Sequence, residues 1–159
     1  MTREFSAGGV VLRSMRGRWW LAAIEPAGRS SSDPKPVLAL PKGLVDPGER
    51  PEQTALREVR EEAGIEAEVV TKLGDVKYVY TRSWAGGERV FMVVSFYLFR
   101  YQSGKIGEIA PAMRVEVQRA EWIPLEDAPR QLAYKGEREM AVKALKYVER
   151  NPDLKVPQS

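Results

Sequence analysis

The segment from Pro51 to Ala63 constrains this chain more than any other. Pro51 suits the first turn of a helix, where its missing N–H costs nothing, and Gly64 suits the residue just past a helix end. Between them Ala55, Leu56, Val59 and Ala63 recur at helical spacing and make an apolar stripe. Glu58, Glu61 and Glu62, at i, i+3 and i+4, crowd a different face. Such a helix must bury its stripe against something, and the flanking sequence supplies strands. Phe5 to Leu12 and Trp19 to Ile24 read as a hairpin around the basic turn Arg13 to Arg18. Val37 to Leu40 reads as a short strand, Val69 to Tyr80 and Glu88 to Arg100 as strands around a turn at Ser83 to Gly87, and Ala120 to Ile123 as a last strand. Glu126 to Ala133 and Glu137 to Glu149 read as helices, the second amphipathic through Met140, Ala144, Leu145 and Val148. Pro26 to Pro36 reads as a Gly/Pro/Ser loop, too short to link domains. The expectation is one mixed α/β domain over residues 1–159, ending in a helix.

Composition narrows the chemistry. The chain has no cysteine and no histidine, which excludes disulfides, thiolate or imidazole metal sites, cysteine nucleophiles and Ser-His-Asp triads. Catalysis has to run on carboxylates, Lys, Arg, Tyr, hydroxyls or a metal held by oxygen. Lys and Arg number 25 against 22 Asp and Glu, for a net charge of +3. A diffuse +3 is too small to argue for nucleic acid, which is not expected as a partner. Its distribution is uneven: the stretch from Gly43 to Ile65 has six acids and three bases, and the remainder is basic. An acidic cluster within a basic chain suits a divalent cation and a polyanionic substrate. The most apolar run, Val90 to Phe99, is half a membrane span, and Met1 to Phe5 has no signal-peptide layout. No membrane association and a cytoplasmic location are expected.

The three glutamates repel one another at helical spacing, and clustered carboxylate oxygens suit hard cations, Mg²⁺ or Mn²⁺. On these acids alone a solvated acidic face is the default reading. The larger pattern changes it. Gly43, five residues, Glu49, seven residues, then Arg57-Glu58-Val59-Arg60-Glu61-Glu62-Ala63-Gly64-Ile65 matches every fixed position of the Nudix box. The chain therefore resembles the Nudix hydrolases over about residues 4 to 149, with 150–159 as a tail. The resemblance implies an α/β/α sandwich with a mixed β-sheet, a Nudix loop–helix–loop and a C-terminal helix. Glu49 and Arg57 are placed to pair across loop and helix. By resemblance Glu58, Glu61 and Glu62 are metal ligands, joined by the backbone carbonyl of Lys42. A further carboxylate from a later loop is assigned to Glu116, with Glu108 as its rival; an exposed strand residue is the alternative reading of Glu116. Glu62 or Glu61 is the general base.

The implied reaction is Mg²⁺-dependent in-line attack of water on a phosphoanhydride in a nucleotide or polyphosphate. Ala7-Gly8-Gly9-Val10-Val11 and Leu40-Pro41-Lys42-Gly43 resemble the branch that cleaves diadenosine polyphosphates. Glu121-Trp-Ile-Pro-Leu-Glu-Asp-Ala128 and Leu132-Ala-Tyr-Lys135 resemble the diphosphoinositol polyphosphate hydrolases. Diadenosine polyphosphates are the favoured substrates. Diphosphoinositol polyphosphates, oxidised nucleoside triphosphates and ADP-ribose are alternatives, and a non-catalytic sensor with the same fold is a rival from another class. Tyr78, Tyr80 and Arg82 alternate on one strand face, where an adenine could stack or where the tyrosines simply pair across strands. Lys42, Lys135 and Arg3 are candidates for phosphate contacts, the last two equally readable as solvated surface. A monomer or a homodimer is expected.

Overall fold

The structure is a computed structural model that describes residues 1–27 and 37–154. Residues 28–36 of the expected loop and 155–159 of the expected tail lie outside the described residues. In chain order the elements are β1 (Thr2–Met15), β2 (Arg18–Pro26), β3 (Lys42–Leu44), α1 (Pro51–Ala63), β4 (Glu66–Arg82), β5 (Glu88–Ser103), β6 (Val117–Pro124), α2 (Ala128–Gln131) and α3 (Lys135–Arg150). Short 3₁₀ turns occupy Ser83–Ala85, Pro111–Val115 and Leu125–Asp127.

One mixed sheet runs in the order β4-β5-β1-β2-β6, and β3 also pairs with β1. β1 organises it. On one side β1 runs parallel to β5 from Thr2 to Leu12. On the other side its first half pairs with β3 through Ser6, Ala7 and Gly8, and its second half with β2 from Leu12 to Met15. The β1–β2 hairpin turns on Arg16 and Gly17, both at positive φ as a tight hairpin turn requires. Period-two alternation sends side chains to two separate cores. Val10, Leu12, Val94, Phe96 and Leu98 join Met140, Ala141, Ala144 and Val148 of α3 on one face. Ala7, Val11 and Phe99 join Ala55, Val59 and Ala63 of α1 on the other. The result is the α/β/α sandwich expected from the resemblance.

Three details differ from the sequence reading. Val37 to Leu40 is no strand; it makes only isolated bridges, Ile24 to Ala39 and Leu38 to Leu132, and the ladder begins at Lys42. The helix expected over Glu126 to Ala133 shrinks to the single turn of α2, because Pro129 is tolerated only in a first turn, so the helix starts at Ala128. It ends as Leu132 turns extended and bridges to Leu38. α3 begins at Lys135, two residues before Glu137, and packing continues past residue 149: Leu154 is fully buried in the α3-side core. α1, in contrast, has the bounds its end signals indicate, with Gly64 at φ 78° closing it. No described helix is long and apolar enough to cross a membrane.

Candidate active site

Arg57 is the hub of the loop and helix. Its Nε donates to Glu49 Oε2 at 2.8 Å and its NH2 to Glu49 Oε1 at 3.0 Å, a two-pronged pair that ties the loop to α1. NH2 also donates to the Leu44 carbonyl at 3.1 Å, while NH1 reaches Glu58 Oε1 at 2.8 Å and Glu61 Oε2 at 3.2 Å. Glu49 accepts as well from Thr54 Oγ1 at 2.6 Å and from the Asp46 N–H at 3.1 Å. Hydrogen bonds from Arg57 and then Thr54 hold the Glu49 carboxyl down at about 2, against an ordinary value of 4.5. The Glu49 bond in turn pushes the Arg57 guanidinium up.

The buried box acids are in a different condition. Glu58 and Glu62 are each only 7% exposed. Burial pushes the Glu62 carboxyl up to about 8; the Lys42 N–H opposes this, and the charges of Glu58 and Glu116 add to it. Burial raises Glu58 too, with Arg57 opposing and Glu61 and Glu116 reinforcing. Glu62 Oε1 accepts from the Lys42 backbone N–H at 2.8 Å. Glu58 folds its carboxyl over Gly43, where any Cβ would lie 2.2 Å from Oε1, so a side chain at the first position of the box would displace that carboxyl. Among the described residues no three acids converge closely enough to form a ready cation cage. Arg57 NH1 engages both Glu58 and Glu61.

Glu62 opens onto a cleft of about 820 Å³, the size of an ordinary small-molecule site. Its floor is apolar, with Ile24, Leu40, Val94 and Phe96. Glu62 and Glu116 give it an acidic end, and Lys42, Lys77 and Lys135 stand around it with the rings of Tyr78 and Tyr134. Of the residues singled out from sequence, Lys42, Glu62, Tyr78, Glu116 and Lys135 therefore share this cleft. Glu116 is exposed and follows a 3₁₀ turn rather than lying in a strand, and the rival Glu108 is outside the lining, packed by its backbone against Gly64. Arg3, Tyr80 and Arg82 are not brought to the cleft. Arg3 lies over the Phe91 ring at 5.9 Å, Tyr80 donates to Glu4 at 3.3 Å, and Arg82 is ion-paired with Glu4 and Glu88. Tyr78 and Tyr80 do share a strand face, with centroids 6.2 Å apart.

Two cleft residues were not singled out as site residues from the sequence, although Tyr134 lies within the Leu132 to Lys135 stretch quoted above. Tyr134, half exposed, holds its ring 5.1 Å from the Lys42 ammonium. Glu137, 2% exposed, accepts from Lys42 Nζ at 2.5 Å and from the Leu40 N–H at 2.6 Å. Burial works to lower the Lys42 pKa, but Glu137 outweighs it and the ammonium is held above its ordinary value. A lone acid in the first turn of an amphipathic helix reads as a favourable dipole contact, so only the tertiary structure marks Glu137.

A sequence model of the NUDIX domain matches residues 3–143. The "putative mutator protein MutT4" of Mycobacterium tuberculosis is 36% identical over 138 residues, which cover 87% of this chain and 53% of that protein. The chain thus spans about half the length of that relative. The mouse asymmetrical bis(5'-nucleosyl)-tetraphosphatase is 68% identical over 31 residues, 20% of this chain and 21% of its own. Among solved structures, a C. elegans Ap4A hydrolase binary complex superposes with a TM-score of 0.64 at 23% identity, covering 92% of this chain and 98% of that one.

Proposed function

The chain belongs to the NUDIX family, and from that premise we propose that it is a divalent-cation-dependent hydrolase of phosphoanhydride bonds in nucleoside diphosphate derivatives, with diadenosine polyphosphates as preferred substrates. The observation that carries this reading is the shared cleft, in which the buried box carboxylate Glu62, Glu116, a group of lysines and two tyrosine rings face one volume. Those are the complements of a cation, a chain of phosphates and a nucleobase. The local identity with the mouse tetraphosphatase, over 31 residues, leans the same way on substrate.

The donor set fits Mg²⁺ or Mn²⁺: every candidate ligand is a hard oxygen, and Glu58 and Glu62 are buried beside further carboxylates, a charge excess that a cation would relieve. Glu58, Glu61 and Glu62, the Lys42 carbonyl and Glu116 are the residues that would hold it. When bound, the cation neutralises phosphate charge and makes a coordinated water more acidic. The chain's own residues do the rest. Arg57 and Glu49 keep the loop in register with α1. Lys42 and Lys135 screen the phosphates, and Tyr78 and Tyr134 offer ring faces to a base. Glu62 fronts the cleft whereas Glu61 is turned to Arg57, so Glu62 Oε2 is assigned to accept the proton of the attacking water.

The test is a product-mass panel with Mg²⁺ covering diadenosine tetra- to hexaphosphates, a diphosphoinositol polyphosphate, ADP-ribose and 8-oxo-dGTP, run beside Glu62→Gln. Preferential cleavage of a dinucleoside polyphosphate, with a nucleoside triphosphate among the products, is the expected result. Preference for another member would move the substrate assignment, and a panel left intact would leave a non-catalytic sensor as the better reading.

A further inference from the structure

Pro41 has no N–H, so the donors flanking it belong to Leu40 and Lys42, and each is taken by a carboxylate from a different helix. The Lys42 N–H goes to Glu62 of α1 at 2.8 Å, and the Leu40 N–H goes to Glu137 of α3 at 2.6 Å. These helices lie on opposite faces of the sheet. The second oxygen of Glu137 takes the Lys42 ammonium at 2.5 Å, so one buried acid grips the segment by backbone and by side chain. β1 completes the hold through the Gly9 N–H to the Pro41 carbonyl at 3.0 Å.

We propose that Glu137 is a positioning residue of the active site: it fixes the Leu40–Lys42 segment so that the Lys42 peptide meets Glu62 and the cation-binding face in register. The proposal rests on the hydrolase reading only for its effect on turnover. Leu40 is fully buried and its N–H has no water to turn to, so losing the Glu137 acceptor leaves a buried donor unpaired and frees the segment to shift. The shift would be felt at Glu62 through the peptide beyond Pro41. α3 thereby becomes part of the active-site frame as well as a cover for the sheet.

The experiment compares Glu137→Ala, Glu137→Gln and Met140→Ala with wild type, reading Mn²⁺ affinity by calorimetry, melting temperature, and kcat and KM on diadenosine tetraphosphate. Glu137→Gln keeps an oxygen for the Leu40 N–H, whereas Glu137→Ala keeps none. Met140→Ala loosens α3 from the same buried face while leaving Glu137 and its two bonds to the segment in place. Glu137→Ala should weaken Mn²⁺ binding about tenfold and lower kcat in similar proportion, as loss of support behind a metal ligand does. Glu137→Gln should recover most of the Mn²⁺ affinity, and Met140→Ala should lower the melting temperature with Mn²⁺ affinity unchanged. The proposal is overturned if wild type binds no Mn²⁺, if Glu137→Ala binds it as wild type does, or if Met140→Ala weakens binding equally. Should the Mn²⁺ pattern hold while no substrate is cleaved, the hydrolase reading fails and the positioning role stands.

Discussion

α1 and α3 pack on opposite faces of one sheet and each sends buried acid toward the same lysine, but the two acids live in different company. Glu137 of α3 has both oxygens engaged by donors of the chain itself, a backbone N–H and an ammonium. Glu62 and Glu58 of α1 have further carboxylates for neighbours; Glu58 shares Arg57 with Glu49 and Glu61, and Glu62 has one donor of the chain, the Lys42 N–H. A buried carboxylate whose partners are in the chain is structure; one whose neighbours are other carboxylates stores repulsion that a ligand can relieve. The contrast separates what holds the fold from what waits for a substrate complex.

The largest effect that could break this contrast is at Glu62. Glu62→Gln should lower turnover on the order of 10³-fold or more, because it removes charge at the reacting centre. It should not lower the melting temperature in the absence of cations, since it removes one member of a repelling set. Saturating Mg²⁺ at about a hundred times its Kd should stabilise wild type by about 2.7 kcal/mol, roughly 5–10 °C for a chain of this size, and the variant by less. Calorimetric scans with and without Mg²⁺ check this. A variant that melts well below wild type in chelator would make Glu62 structural after all, like Glu137.

Gly43 tests the same face from the loop side. A Cβ there would lie 2.2 Å from Glu58 Oε1, so Gly43→Ala must push the carboxyl off its seat or the loop off the helix. Loss of one aligned ligand should cost about 10- to 100-fold in metal affinity and activity. The Arg57–Glu49 pair, further out, should keep the variant folded, which a circular dichroism melt would confirm. Wild-type Mn²⁺ affinity in Gly43→Ala would mean that Glu58 is no ligand.

How far these features could be read beforehand follows from how local they are. The bounds of α1 were legible because Pro51 and Gly64 punctuate it within its own sequence, and the glutamates at i, i+3 and i+4 share a face on any helix. The Glu49–Arg57 pair was legible because it spans eight residues of one loop–helix unit. Glu137 was not, because its partners are 97 and 95 residues away and nothing near it in sequence announces them. The same holds for Val37 to Leu40, whose β-rich composition suggests a strand but whose backbone is spent on single bridges and on Glu137. Tyr80 and Arg82 share a strand face with Tyr78 as alternation requires, yet Glu4 of β1 claims both, a choice made by sheet order and invisible in the strand itself. Periodicity assigns a face; the neighbouring strand decides what that face is used for.

The smallest effect sharpens the comparison within the box itself, between acids that are satisfied and acids that are not. Glu49 belongs to the first kind although it sits in the box, with its carboxyl held at about 2 where an unfolded glutamate titrates near 4.5. A folded-state value below the unfolded one means that the unfolded chain takes up the proton first. The stability contributed by Glu49 is therefore complete above about pH 4.5 and is lost as the pH falls toward 2. Glu49→Gln should be less stable than wild type at neutral pH, and the gap should close progressively on acidification as wild type loses what the variant never had. Urea midpoints for the two proteins at pH 6, 5, 4 and 3 check this, because carboxylates common to both cancel in the difference. Midpoints that stay a constant distance apart down to pH 3 would show that the Arg57 fork leaves the protonation of Glu49 unchanged on folding. Glu49 would then stand with the unsatisfied acids of the cleft rather than with Glu137.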